Sequence, residues 1–235
     1  MNIVLTGASK GIGFETALAL SNYKLKNLIL ISRNKEGLQI LEKKIQNINK
    51  QVNIKLIAED INSISEQPEI LLSKLNFESV DIIINNAGLL INKPFAEISQ
   101  PEAENMFRVN VLVPMQLVRI CFDKLKASPA SHVLNIGSMG GFQGSSKFAG
   151  LSYYSASKAA LAVMSECLAT EFQETNIRFN CLALGAVQTE MLEEAFPGYQ
   201  APISSENMGR YIADFAINGH KYYNGKILPV SISNP

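Results

Sequence analysis

The 235-residue chain is 47% hydrophobic and 18% charged, with no low-complexity tract, so it can bury one sizeable core and is not disordered. Its 21 Lys+Arg balance 21 Asp+Glu, which leaves no net field to attract nucleic acid or an anionic membrane and turns attention to small molecules. Three scattered cysteines, Cys121, Cys167 and Cys181, sit in apolar segments as reduced core thiols, and two isolated histidines, His132 and His220, offer no metal-ligand spacing.

The opening MNIVLTG enters an apolar strand with no basic leader, and no apolar run reaches about 18 residues, so a cytoplasmic protein without a membrane span is expected. After the first strand, NIVLT (2–6), comes TGASKGIGFETALAL, which places Gly7, Gly11 and Gly13 in a strand-to-helix turn. Glycines let the backbone approach a ligand, and the free N–H groups at the helix start favour phosphate. Helical period runs from Phe14 to Asn22, and the second strand, NLILIS (27–32), ends in ISRN. Arg33 stands where an acid would bind a free ribose 2'-hydroxyl; with Lys10 from the glycine turn it favours a 2'-phosphate, and hence NADP over NAD. The other reading is that both are solvated surface cations.

A helix over Gly37–Ile48 and a third strand, NIKLIA (53–58), lead to Asp60, which either meets an adenine edge or opens a helix as its N-terminal acid. Helical period at Ile70–Leu75 precedes the fourth strand, VDIIIN (80–85), and then Asn85-Asn86-Ala87-Gly88. Its amides can tie strand ends together, while Ala87-Gly88 leave room for a cofactor. In the long helix over Glu102–Leu125, Asn110 is a lone polar residue that needs a partner, either a carbonyl opened by a kink or a water; Pro114 removes the donor for the Asn110 carbonyl and makes a kink plausible. The fifth strand, HVLNIG (132–137), presents Ser138 at its tip. In GLSYYSASKAAL, Tyr154 and Lys158 share one helix face at the start of a helical stretch, Ser155–Phe172. Tyr222 and Lys226 have the same spacing, but Asn224-Gly225 between them reads as a turn. The sixth and seventh strands are RFNCLAL (178–184) and KILPVS (226–231).

Strands that are apolar throughout, alternating with helices, imply a doubly wound parallel sheet of about seven strands with helices on both faces, over residues 1–235 as one domain. Ligands of such sheets lie beyond the C-terminal strand ends, which is where these motifs fall.

In order, Thr6-Gly7-x-x-x-Gly11-x-Gly13, Asn85-Asn86-Ala87-Gly88, Asn110, Ser138 and Tyr154-x-x-x-Lys158 resemble the single-domain short-chain dehydrogenase/reductase family over nearly the whole chain. The resemblance implies a Rossmann-type oxidoreductase that interconverts a carbonyl and an alcohol with NADPH. In it Tyr154 is the general acid/base, Lys158 lowers the phenol pKa and binds the nicotinamide ribose, Ser138 holds the substrate oxygen, and Asn110 retains a water that links Lys158 to solvent. The implied cofactor site comprises Thr6, Gly7, Ser9, Lys10, Gly11, Ile12, Gly13, Arg33, Asp60, Asn86, Ala87, Gly88, Gly185 and Thr189, together with Tyr154 and Lys158. Tyr153 packs or lines the pocket. A non-catalytic NADP sensor would lack Tyr154 or Lys158, and an extended epimerase or dehydratase would need a larger C-terminal domain.

Two departures stand out: Leu184-Gly185 replaces the usual Pro-Gly, leaving that backbone less constrained, and GKILPVSISNP lacks the customary Asp-Gly-Gly finish, which bears on the tetramer and the lid. The acidic TEFQET favours a small free ketone or aldehyde over an acyl-carrier substrate. Met139, Phe142, Leu151, Met191, Leu192 and Phe196 form either an apolar pocket or core. A homodimer or homotetramer is expected through the two long helices, whose Met106, Val113, Leu117, Val163, Met164 and Leu168 cover more than one face.

Overall fold

A computed structural model describes residues 1–232. All seven apolar runs are strands: β1 Asn2–Thr6, β2 Asn27–Ile31, β3 Asn53–Ile57, β4 Ile82–Asn85, β5 Ser131–Ser138, β6 Ile177–Leu184 and, after the two-residue pair β7 Val187–Gln188 and β8 Ile203–Ser204, β9 Lys226–Val230. The seven pair in parallel in the order β3-β2-β1-β4-β5-β6-β9, while β7 and β8 pair apart from them. Every residue of β1, β2 and β4 is buried, because helices cover both faces and alternate side chains feed two cores. Ile3, Leu5, Leu28 and Leu30 pack with Leu20, Leu38 and Leu41 on one face. Val4, Ile29 and Ile83 pack with Val113, Leu117 and Phe179 on the other. Pro229 is tolerated in β9 because that strand pairs only with β6 and forms the sheet edge.

Helix starts follow local capping chemistry. Asn34 Oδ1 accepts from Gly37 N to open Lys35–Ile48, and Ser99 with Glu102 makes a reciprocal box that opens Gln100–Phe107. The kink expected near Asn110 is a π-helical turn, Arg108–Leu112, between Gln100–Phe107 and Val113–Ile120. Three α-helices fall outside the periodic segments read from the sequence: Ile61–Glu66, Glu190–Ala195, and Ser205–Asn218, whose buried Met208, Ile212, Ala213, Phe215 and Ala216 cover the first core. Gly209 lies on the buried face of the last of these, where a Cβ would meet the backbone of Glu15 and Thr16.

Several expectations need correction. Cys121 and Cys181 are buried, but Cys167 is exposed on the Ser152–Glu171 helix. The histidines are not isolated; their rings lie 5.7 Å apart. Met106, Val113 and Leu117 are fully covered by the chain's own core, so among the residues named for a second apolar face Val163, 52% exposed, is the clear outward one. The final Ser-Asn-Pro of the atypical C-terminus lies outside the described residues.

Candidate active site

The chain leaves β1 for β2 and β3, then returns to place β4 on the other side of β1, so the connections diverge between β1 and β4. A cleft of about 710 Å³ opens beyond the C-terminal ends of the strands at this point. Its floor is held by Thr6, whose Oγ1 accepts from Asn86 N at 3.0 Å and Ala87 N at 2.9 Å, and by Asn86, whose Nδ2 donates to the carbonyls of Thr6 at 3.0 Å and Gly7 at 3.2 Å. These bonds lock the glycine turn onto the end of β4. Gly11 has φ +56°, and a Cβ on Gly13 would sit 2.2 Å from the Gly7 carbonyl oxygen, so the turn requires glycine at both positions. Thr6 itself is buried and does not line the cleft.

Behind the site, Asn110 is fully buried. Its Oδ1 accepts from Leu89 N at 2.8 Å, and its Nδ2 donates to the Leu89 carbonyl and to Ser157 Oγ, both at 2.9 Å; Ser157 Oγ in turn donates to the Tyr154 carbonyl at 2.7 Å. The π turn thus aims Asn110 at the loop after β4 and the tyrosine-bearing helix. Its partner is the Leu89 backbone, not a carbonyl freed within its own helix. Asn85 Nδ2 meets Asn135 Oδ1 at 2.8 Å, so an amide pair does tie β4 to β5.

Ser138, Tyr154 and Lys158 line one wall. Ser138 hydrogen-bonds Tyr154, which opposes the dominant effect of burial; the net result holds the phenol above its usual value of 10. Lys158 Nζ donates to the Ile136 carbonyl at 2.8 Å and stands 6.0 Å from the Tyr154 ring centroid. Burial brings the Lys158 ammonium down to about 8, partly offset by Cys181. The expected lowering of the Tyr154 pKa by Lys158 is therefore not found: the ammonium is turned to a backbone carbonyl, and desolvation of the phenol prevails. Tyr153 faces away from the cleft and stacks on Phe95, with ring centroids 5.6 Å apart and planes 7° apart.

At the far end, Ser9, Lys10, Ile12, Arg33 and Asp60 line the cleft. Asp60 Oδ1 accepts from Asn62 N at 2.8 Å, the helix-capping alternative, while its Oδ2 lies 3.8 Å from Arg33 Nη1. Lys10 Nζ lies 3.6 Å from Glu194 on the Glu190–Ala195 helix. Ser32, whose hydroxyl is 2.7 Å from that of Ser9, and Asn62 also line this end and carry no motif that marks them in the sequence. Gly185 and Thr189 line the opposite rim; Gly185 N donates to Val230 O at 2.9 Å, so β9 supplies the constraint expected to be missing without proline. Thr189 Oγ1 accepts from Leu192 N and caps the Glu190–Ala195 helix.

The donor set suits a dinucleotide. The first turn of the Gly11–Leu20 helix carries no acid, Gly88 is bare beside Lys158, with 3.4 Å from a notional Cβ to Nζ, and serine hydroxyls with one exposed guanidinium occupy the far end.

A parallel sheet in this order, with its cleft at the divergence between β1 and β4, defines a Rossmann-like protein. The family model described as short chain dehydrogenase matches residues 1–200. An uncharacterised oxidoreductase of Staphylococcus saprophyticus is 31% identical over 189 residues, spanning 80% of this chain and 79% of the relative. A short chain dehydrogenase of Shigella flexneri, solved in complex with NADP, superposes with a TM-score of 0.85 at 27% identity, covering 97% and 95% of the two chains. A short chain dehydrogenase of Escherichia coli, complexed with NADPH, gives 0.82 at 26% identity, covering 97% and 95%. The chain belongs to the short-chain dehydrogenase family of oxidoreductases.

Proposed function

We propose that this protein, acting as one domain over residues 1–235, is an NADPH-dependent carbonyl reductase. The observation that carries the reading is the division of one cleft between two chemistries: Ser138, Tyr154 and Lys158 on one wall, and the glycine turn with Arg33 at the far end. The NADP and NADPH bound to the similar Shigella and Escherichia proteins support the choice of cofactor.

NADPH, when bound, supplies a hydride. Ser138 Oγ donates to the substrate carbonyl oxygen and sets its position against Tyr154 Oη. As the carbonyl carbon accepts the hydride, Tyr154 gives its proton to the oxygen, so the C=O π bond is replaced by new C–H and O–H bonds and the phenolate remains. The phenol, held above its usual value of 10, carries this proton at neutral pH. Lys158, whose ammonium burial brings down to about 8, would hold the cofactor ribose. Asn110 acts as a positioning residue through Leu89 and Ser157. Arg33 pairs with the 2'-phosphate; its side chain is 81% exposed, so its contact with Asp60 is a weak surface pair that yields readily.

The protein is expected to pair through the Ser152–Glu171 helix, with Val163 at the contact. The test of function is NADPH consumption, followed by absorbance, across ketones, aldehydes, quinones and 3-oxoacyl thioesters. Consumption with none of them, by protein that binds NADPH in a titration, would favour a cofactor sensor instead.

A further inference from the structure

Beside the proton-donating pair, the cleft changes character. Met139 and Leu151 form its inner wall, Met191 and Phe196 come from the segment after β7, and Phe148 and Tyr199, each about half exposed, stand at the mouth. Among the described residues, the cations near this lobe are already engaged. Lys158 is turned to the Ile136 carbonyl, Lys10 to Glu194, and Arg33 lies at the far end with Asp60. Outside the lining, Lys147 donates to the Phe142 carbonyl and Ser145 Oγ of its own loop, and Lys93 pairs with Glu102. The helix that covers the lobe, Glu190–Ala195, lines it with Glu190, whose carboxylate lies against Gly11, and with Met191 and Leu192.

Resting on the reductase reading, we infer that the substrate is an uncharged ketone or aldehyde with an apolar, preferably aromatic, body, and that carboxylate and phosphate-bearing carbonyls are rejected. An anion placed in this lobe would lose its hydration with no free cation among the described residues to replace it, beside the Glu190 carboxylate, which repels it. An apolar ring exchanges water for the two methionines and the aromatic faces. Phe142, which the sequence suggested for this pocket, does not line it. Met191 lies on the covering helix and is 37% exposed, so its exchange for lysine adds a cation at the lobe without opening the core.

The experiment measures kcat/KM with NADPH for matched pairs: an aryl methyl ketone and its ring carboxylate, and ethyl 3-oxobutanoate beside 3-oxobutanoate and its coenzyme A thioester. The neutral member of each pair should be favoured by ~100-fold or more, the scale set by burying an unpaired charge. In Met191→Lys, with an unchanged melting temperature, that preference should narrow by ~10-fold as a counter-ion becomes available. Turnover of the anions within threefold of their neutral partners, or no change of preference in Met191→Lys, would overturn the inference and leave the reductase reading intact. No NADPH consumption with any member would overturn both.

Discussion

The two ends of the sheet carry similar polar residues to opposite purposes. At the N-terminal ends, Asn27 Nδ2 donates to Asn2 Oδ1 at 2.7 Å and Asn53 Nδ2 to Asn27 Oδ1 at 2.8 Å, an amide ladder along the register Asn2, Asn27, Asn53. Nearby, His132 is held between the Ala216 carbonyl and Asn180 Nδ2, both at 3.0 Å. At the C-terminal ends, Asn86 and Asn110 also hold backbone, but the backbone they hold borders an open cleft. Amides and a buried titratable group thus occur at both ends. The topology alone leaves space for a ligand at one of them.

The largest difference should appear when a hydroxyl is removed at the cleft end. Tyr154→Phe is expected to lower turnover by ~100-fold to 10,000-fold with NADPH affinity little changed, as befits loss of a positioned acid. Tyr153→Phe, one residue away in the Phe95 stack, should stay near wild type. Steady-state rates and a cofactor titration on the two variants check this, and near-normal turnover in Tyr154→Phe would refute the assignment.

At the other end the titratable group should act on stability alone. Burial brings His132 down to about 4 from 6.5, so between those values the unfolded chain binds a proton that the folded one does not. Stability is then fully present above pH 6.5 and is lost as pH falls toward 4, by on the order of 3 kcal/mol from this residue. Denaturant unfolding at pH 7.5 and 4.5 should show that loss reduced in His132→Gln.

Cofactor choice sharpens the contrast within the cleft. Charge-assisted bonds from Arg33 to a 2'-phosphate should favour NADPH over NADH by roughly ten- to a hundredfold. Arg33→Asp should weaken NADPH and improve NADH, as read by titrating both cofactors into both proteins. Equal or tighter NADH binding by the wild type would make Arg33 a surface cation.

The smallest expected effect belongs to Asn27→Ala. It should destabilise the fold by ~1–3 kcal/mol, the range for leaving buried amide partners unpaired, with kcat/KM unchanged. Asn110→Ala should lower both stability and turnover. A fall in turnover for Asn27→Ala would erase the distinction between the two ends.

The sequence by itself determined the sheet, because each strand is a short apolar run that can be satisfied only by burial on both faces. It also marked the glycine turn, the Asn85–Gly88 segment, Ser138 and the Tyr154–Lys158 pair, since these chemistries depend on spacing along a strand end or a single helix. Tertiary structure decided what depends on partners distant in the chain. Asn110 found Leu89 and Ser157, Asp60 turned to cap a helix beside Arg33, Lys10 met Glu194, and Lys158 turned to Ile136. Desolvation, a property of the packed surroundings, set the direction of the Tyr154 shift against the expectation drawn from spacing. Of the two helices after β7, Glu190–Ala195 is only a turn or two long and rests on its Thr189 cap, whereas Ser205–Asn218 rests on its Ser204 cap and on the core that its buried face covers. The apolar lobe likewise exists only because Met139, Leu151, Met191 and Phe196, from separate segments, are brought to one wall by the fold.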